Sequence, residues 1–247
     1  MITKEQRIQI AELYRERGEC RFDEPMAPHT SFHIGGPAEV YLVPADAQQT
    51  AETVALLAKL QIRCTLLGNG SNVLVSDGGI RGAVVRFEDK PGKMTFTELS
   101  DGSTEAWVSA GTSLSGFARE ACDRGLAGME SATGIPGTVG GGIVMNAGAY
   151  GGEIRDSLVR ATVLTKEGEI LTLSPEELKL SYRYSVIPER GYIVLDDDPD
   201  FGFAPGPFFG ERSVRNLGDK FCIGHVYVVF IIESNQSAIL IIFQQIP

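Results

Sequence analysis

Leu114, Phe117, Ala118 and Ala121 fall at the i, i+3, i+4, i+7 spacing of one helical face. Gly111-Thr112-Ser113 caps their N-terminal side and Gly125 stands where the helix stops. A second stripe, Ala47, Ala51, Val54 and Ala58, predicts a helix capped by Asp46, with Gln49 at the capping-box position. Residues 4–17 place Ile8, Ile10, Leu13 and Tyr14 among charges, which predicts a short amphipathic helix ending at Gly18. Between these lie short apolar runs. Residues 39–43, 63–67, 72–75 and 82–87 read as strands, with a turn at Asp77-Gly78-Gly79. The order strand, helix, strand, glycine-rich loop describes a βαβ-like unit, with Gly68-Asn69-Gly70-Ser71-Asn72 at the carboxyl end of a strand. A turn at Pro91-Gly92 opens a second region with strands at 93–99 and 104–110. A further hairpin, 157–165 with 169–173, turns at Lys166-Glu167-Gly168, and Pro175-Glu176-Glu177 starts a helical turn.

The periods fail in two places. In residues 131–152, SATGIPGTVGGGIVMNAGAYGG, eight of the twenty-two residues are glycine, a composition that predicts neither helix nor strand. Glycine admits positive φ and lets a ligand approach main-chain N–H groups, so the run reads as a phosphate cradle. Pro136 fixes φ and Thr138 adds a hydroxyl, which makes the stretch 134–142 shaped rather than loose. The smaller Gly68 to Asn72 loop offers consecutive N–H donors, with a simple tight turn as the alternative. It is neither a Walker sequence nor a G-x-G-x-x-G fingerprint. The other failure is residues 196–247, where charges, prolines and phenylalanines give way to two apolar runs around a polar break; those runs suit a β-hairpin.

Composition narrows the classes. A hydrophobic share of 43% and a charged share of 22% are ordinary for a soluble globular chain. A net charge of −10 argues against nucleic acid and anionic membranes. Cys20, Cys64, Cys122 and Cys222 form no C-x-x-C pair, so the reading is reduced thiols in a cytoplasmic protein with no metal. The first residues lack an apolar signal region, and no run approaches the roughly 18 apolar residues of a membrane span.

Arg183, in Ser181-Tyr182-Arg183-Tyr184-Ser185, is a permanent planar cation suited to a carboxylate or a developing enolate; a surface ion pair is the competing reading. His29 and His33 read as solvent-exposed, and with His225 they show no metal-ligand spacing.

Five motifs carry a resemblance. They are His29 to Ala38 (HTSFHIGGPA), Leu67 to Asn72 (LGNGSN), Gly134 to Gly142, Asn146 to Gly151 (NAGAYG), and Ser181 to Ser185 (SYRYS). In this order, over about residues 5–195, they closely resemble the UDP-N-acetylenolpyruvoylglucosamine reductase family. The resemblance implies an α+β chain with the two-part FAD-binding fold of vanillyl-alcohol oxidase (PCMH) type. Residues 1–90 and 91–195 would be its two FAD-binding subdomains, and 196–247 an atypical tail in place of a substrate-binding domain. It implies a cytoplasmic oxidoreductase of peptidoglycan precursor synthesis, with noncovalent FAD, NADPH as hydride donor and a UDP-sugar substrate, and no obligatory protein partner. Arg183 would be the catalytic cation. Gly68, Asn69, Gly70, Ser71, Asn72, Gly134, Pro136, Gly137, Thr138, Gly140, Gly141 and Asn146 would hold FAD, and Tyr150, Tyr182 and Arg183 would meet the substrate. The family's Pro-Ser-Ala-Gly-Ser motif, whose last serine donates the proton, and its late glutamate are not found in 196–247, as though a frameshift or truncation had replaced them. An inactive form is therefore expected, with a noncatalytic flavin-binding remnant and an FAD-dependent sugar or alcohol oxidase as alternatives.

Overall fold

The computed structural model describes residues 1–87, 94–100, 102–165 and 169–194, with two short strands at Ile231–Ile232 and Ile239–Leu240. The chain divides into two compact units, one comprising Met1–Glu88 with Tyr227–Pro247 and the other Asp89–Val226. The turn at Lys166-Glu167-Gly168, Pro91-Gly92 and most of the tail lie outside the described residues.

The first unit begins with α1 (Lys4–Leu13), capped by Thr3 and Gln6 acting on each other's N–H groups. It stops at Leu13 rather than at residue 17, and it buries Ile10 while Ile8 is 69% exposed. Strands β1 (Glu19–Pro25), β2 (Pro37–Val43), β3 (Cys64–Leu67) and β4 (Ile80–Arg86) form one sheet in the order β1-β2-β4-β3. β4 runs parallel to both β2 and β3, and β1 closes the edge antiparallel. Helix α2 (Ala47–Lys59) connects β2 to β3, so the expected βαβ unit is present with β4 inserted between its strands.

Because β2 and β4 are central, their residues are buried on both sides. Val40, Leu42, Ala83 and Val85 pack with Ile10, Tyr14 and Leu57 from the helices. Tyr41, Val43, Ile80 and Val84 pack with Leu67 at the end of β3 and with Met26 and Val75 from loops. The α2 stripe is displaced from expectation: Gln49, Thr53 and Leu57 face inward and Ala58 faces out. Polar partners permit this. Gln49 donates to the Leu13 and Arg17 carbonyls, and the Thr53 hydroxyl bonds the Tyr14 phenol at 2.7 Å. Asp46 caps the helix as expected, but the Gln49 side chain accepts from Ala45 N–H instead of closing a capping box on Asp46. Residues 72–75 are no strand. Val75 enters the apolar cluster beneath the sheet, and burial there replaces a ladder.

In the second unit, β5 (Met94–Glu98) and β6 (Thr104–Val108) form the expected hairpin. Helix α3 (Leu114–Asp123) starts on Ser113, whose hydroxyl accepts from Gly116 N–H, and buries the four residues of its stripe. The glycine run departs from expectation, since Val139–Val144 forms a helix, α4, capped by Thr138. Close packing explains it. A Cβ on Gly140 would stand 2.9 Å from that of Ala110, and one on Gly142 would stand 3.0 Å from Leu114 Cδ2. Larger residues would push the helix off its floor. Strands β7 (Gly148–Ala149) and β8 (Gly152–Glu153) pair across Tyr150-Gly151. A sheet in the order β10-β9-β11 follows, from β9 (Ala161–Leu164), β10 (Ile170–Leu173) and β11 (Ile193–Val194), the last preceded by the short helix α5 (Ile187–Arg190). In the tail, β12 (Ile231–Ile232) and β13 (Ile239–Leu240) pair antiparallel.

Candidate functional site

Two groups of candidate residues lie one in each unit. In the first, Leu67 ends β3 and the chain enters Gly68 to Asn72 directly. Gly70 has φ +62°, and a Cβ there would lie 2.0 Å from the His29 carbonyl oxygen, so no other residue fits. The same contact is fastened by Ser31 N–H donating to the Gly70 carbonyl at 3.0 Å. Among the described residues, the N–H groups of Gly68, Gly70, Ser71 and Asn72 donate no hydrogen bond. Asn72 Oδ1 is buried and likewise has no partner. Unengaged donors at the carboxyl end of a parallel strand are what an anionic group requires.

His29, expected to face solvent, is enclosed instead, with its side chain 10% exposed. Its Nε2 stands 2.8 Å from Glu24 Oε1, and its Nδ1 is 3.1 Å from the Tyr41 hydroxyl and 3.3 Å from Arg86 Nη1. An arginine can only donate, so Nδ1 accepts and the ring proton sits on Nε2 toward Glu24. That hydrogen bond, helped by Arg21, holds the Glu24 carboxyl below the usual range. The ring stacks on Tyr41 at 4.3 Å. These partners lie 5, 12 and 57 positions away, which is why the motif alone did not disclose the cluster. His33 is exposed.

In the second unit, the glycine run is bonded edge-on to residues 109–114. Val139 N–H donates to the Thr112 carbonyl, Gly140 N–H to that of Ala110, and Leu114 N–H to that of Gly137. Thr138 uses its hydroxyl on Gly141 N–H at 3.2 Å and its carbonyl on Gly142 N–H. Thr138, Gly140 and Gly142 are thus occupied in building α4, whereas Gly134, Pro136 and Gly141 are exposed. Ser109 and Thr112, on the supporting segment, are buried, with hydroxyl oxygens that lack a hydrogen-bond partner. Neither was expected as a site residue; their only sequence signal was a run of small residues after a strand.

Asn146 follows α4, fully buried at φ +43°. Its amide nitrogen donates to Glu153 Oε2 and to the Ser181 carbonyl, both at 2.9 Å, and its Oδ1 accepts from Arg155 N–H at 3.0 Å. The side chain expected to hold a cofactor is therefore wholly engaged inside the unit. Tyr150 sits at φ +52° beside Gly151 at φ +82°, a two-residue turn of type I′ sign, and is 59% exposed. Ser181 and Tyr184 exchange backbone hydrogen bonds around Tyr182 and Arg183. Arg183 has φ +54°, donates from Nη2 to the Gly148 carbonyl at 2.7 Å, and lies 5.5 Å from the Tyr182 ring. Tyr182 is 75% exposed, and Tyr184 donates its hydroxyl to Glu189. The seven described non-glycine residues in the left-handed region include the candidate site residues Asn146, Tyr150 and Arg183. Such strain persists only where surrounding contacts impose it.

The Cys20 and Cys64 thiols are chemically quiet, since burial pushes Cys20 up to about 11 and Cys64 up to about 12. No helix among the described residues is long and apolar enough to cross a membrane.

Comparison with known proteins converges on one group. Residues 38–174 match the FAD binding domain family. The chain is 45% identical over 181 residues to a UDP-N-acetylenolpyruvoylglucosamine reductase of Lachnoclostridium phytofermentans, covering 73% of this chain and 57% of that protein. It is 46% identical over 180 residues to the reductase of the same name from Agathobacter rectalis, covering 70% and 57%. The crystal structure of the reductase MurB from Thermus caldophilus superposes with a TM-score of 0.56 at 32% identity, covering 72% of this chain and 60% of that one. The chain spans a little over half the length of the curated relatives it matches. The α+β, two-part FAD-binding fold is shared with these proteins.

Proposed function

Because the chain belongs to the FAD binding domain family, we propose that it holds FAD noncovalently and serves the NADPH-dependent reduction of UDP-N-acetylglucosamine-enolpyruvate to UDP-N-acetylmuramate, a cytoplasmic step of cell-wall precursor synthesis. The observation that carries the reading is that one unit holds an open amide loop and the other, taken by itself, a strained, clamped arginine turn. The residues present suit the cofactor. The loop Gly68, Asn69, Gly70, Ser71 and Asn72 would hold its diphosphate through the unengaged N–H groups of Gly68, Gly70, Ser71 and Asn72 and the Ser71 hydroxyl. Gly134, Pro136, Gly137 and Gly141 would give a low-relief surface for its ring, carried on a frame made by Thr138, Gly140 and Gly142.

When bound, FAD would supply a hydride, taken from NADPH, to the enolpyruvyl double bond. Hydride addition at the alkene terminus would leave negative charge on the carbon that bears the substrate carboxylate, to be quenched there by a proton from water. Arg183, a planar guanidinium held by the Gly148 carbonyl, would stabilise that charge. Tyr150 and Tyr182, both largely exposed, would contact the substrate beside it.

Purification tests this reading. The expressed chain is expected to be yellow, with visible flavin absorbance bleached by NADPH. A folded, colourless product that does not take up added FAD would overturn it.

A further inference from the structure

We propose that Asn146 is a positioning residue for Arg183 rather than a ligand of the cofactor. The proposal rests on the reading that Arg183 meets the anionic part of the substrate. The five-residue turn 181–185 is attached to the C-terminal end of α4 at both ends. At one end Asn146 donates to the Ser181 carbonyl, and at the other Ser185 donates its hydroxyl to the Val144 carbonyl at 2.6 Å. Between these anchors stands Arg183, pinned to Gly148, two residues after Asn146. The same asparagine holds Arg155 N–H and the Glu153 carboxylate, and Glu153 pairs with Arg155 at 2.7 Å. Every polar atom of a fully buried amide is thereby directed at β8, at the Arg155 turn that follows it or at the arginine turn 181–185, and none toward a ligand. A buried asparagine at positive φ is retained where its amide serves two directions at once, since it tolerates the left-handed region and offers both donors and an acceptor. Helix α4 and its exit therefore act as the mount of the arginine turn.

The mount predicts that loosening Asn146 frees Arg183 while leaving FAD held. The holo-chain is treated with phenylglyoxal and the labelling of each arginine is followed by mass spectrometry, with Arg190 of the same unit as internal reference. Asn146→Ala is expected to raise Arg183 labelling about fivefold relative to Arg190, as local opening becomes easier. Ser185→Ala, a milder change that keeps the buried amide, is expected to raise it about twofold. In both, the FAD dissociation constant measured by flavin fluorescence stays within about threefold of the parent value. A tenfold weaker FAD affinity with unchanged Arg183 labelling would overturn the proposal, as would equal increases at Arg183 and Arg190. The substrate reading is separated by one further arm: the enolpyruvyl UDP-sugar should slow Arg183 labelling in the parent chain. Absence of that protection would remove the substrate reading and leave the mount intact.

Discussion

The two glycine-rich segments look alike in sequence and are opposites in structure. In Gly68 to Asn72, glycine is required at Gly70 by a neighbouring backbone, the His29 carbonyl, and the N–H groups of Gly68, Gly70, Ser71 and Asn72 are left unengaged. In the longer run, glycine is required by side chains, those of Ala110 and Leu114, and most N–H groups are already bonded within the unit. On the proposed reading the first is a loop prepared for an anion. The second is a frame that packs a helix, mounts Arg183 and leaves an open face at Gly134, Pro136 and Gly141. Glycine density is therefore a poor measure of ligand binding; the fate of the N–H groups decides.

The contrast can be broken at each segment in turn. Gly70→Ala carries the largest expected effect, because the new Cβ meets a carbonyl oxygen at 2.0 Å and the backbone is left-handed. It should lower the unfolding free energy of the first unit by about 3 kcal/mol in a denaturant titration and weaken FAD at least about tenfold. An alanine tolerated without either loss would show that the loop adapts and is not preformed. Gly140→Val should be next, at about 2 kcal/mol, through overpacking against Ala110. Its signature is a lower melting temperature of the second unit, with the first unit's transition unmoved. If the valine variant melted like the parent, α4 would not need its close floor.

Much of this was legible in the sequence wherever one force dominated. Helix α3 was readable because its stripe and its Ser113 cap agree. β1 was not foreseen, since a two-sided edge strand with exposed Glu19, Arg21 and Asp23 has the polarity of a loop. Residues 72–75 carry strand-like side chains, yet burial of Val75 without a ladder satisfies them. α4 was invisible to composition, because helix propensity is a weak term that packing against Ala110 and Leu114 overrides. At the candidate site, Arg183 and the short loop are proposed from motifs, whereas the enclosure of His29 and the saturation of Asn146 depend on partners tens of residues away.

The measurement that bears most directly on the division of labour compares Ser71→Ala with Thr138→Ala, titrating FAD and melting each variant. The account predicts that Ser71→Ala weakens FAD about tenfold at an unchanged melting temperature. Thr138→Ala, which removes the cap on Gly141 N–H, should destabilise the second unit by about 1 kcal/mol and leave FAD affinity within about threefold. The reverse pattern, with FAD lost at Thr138 and stability lost at Ser71, would contradict it.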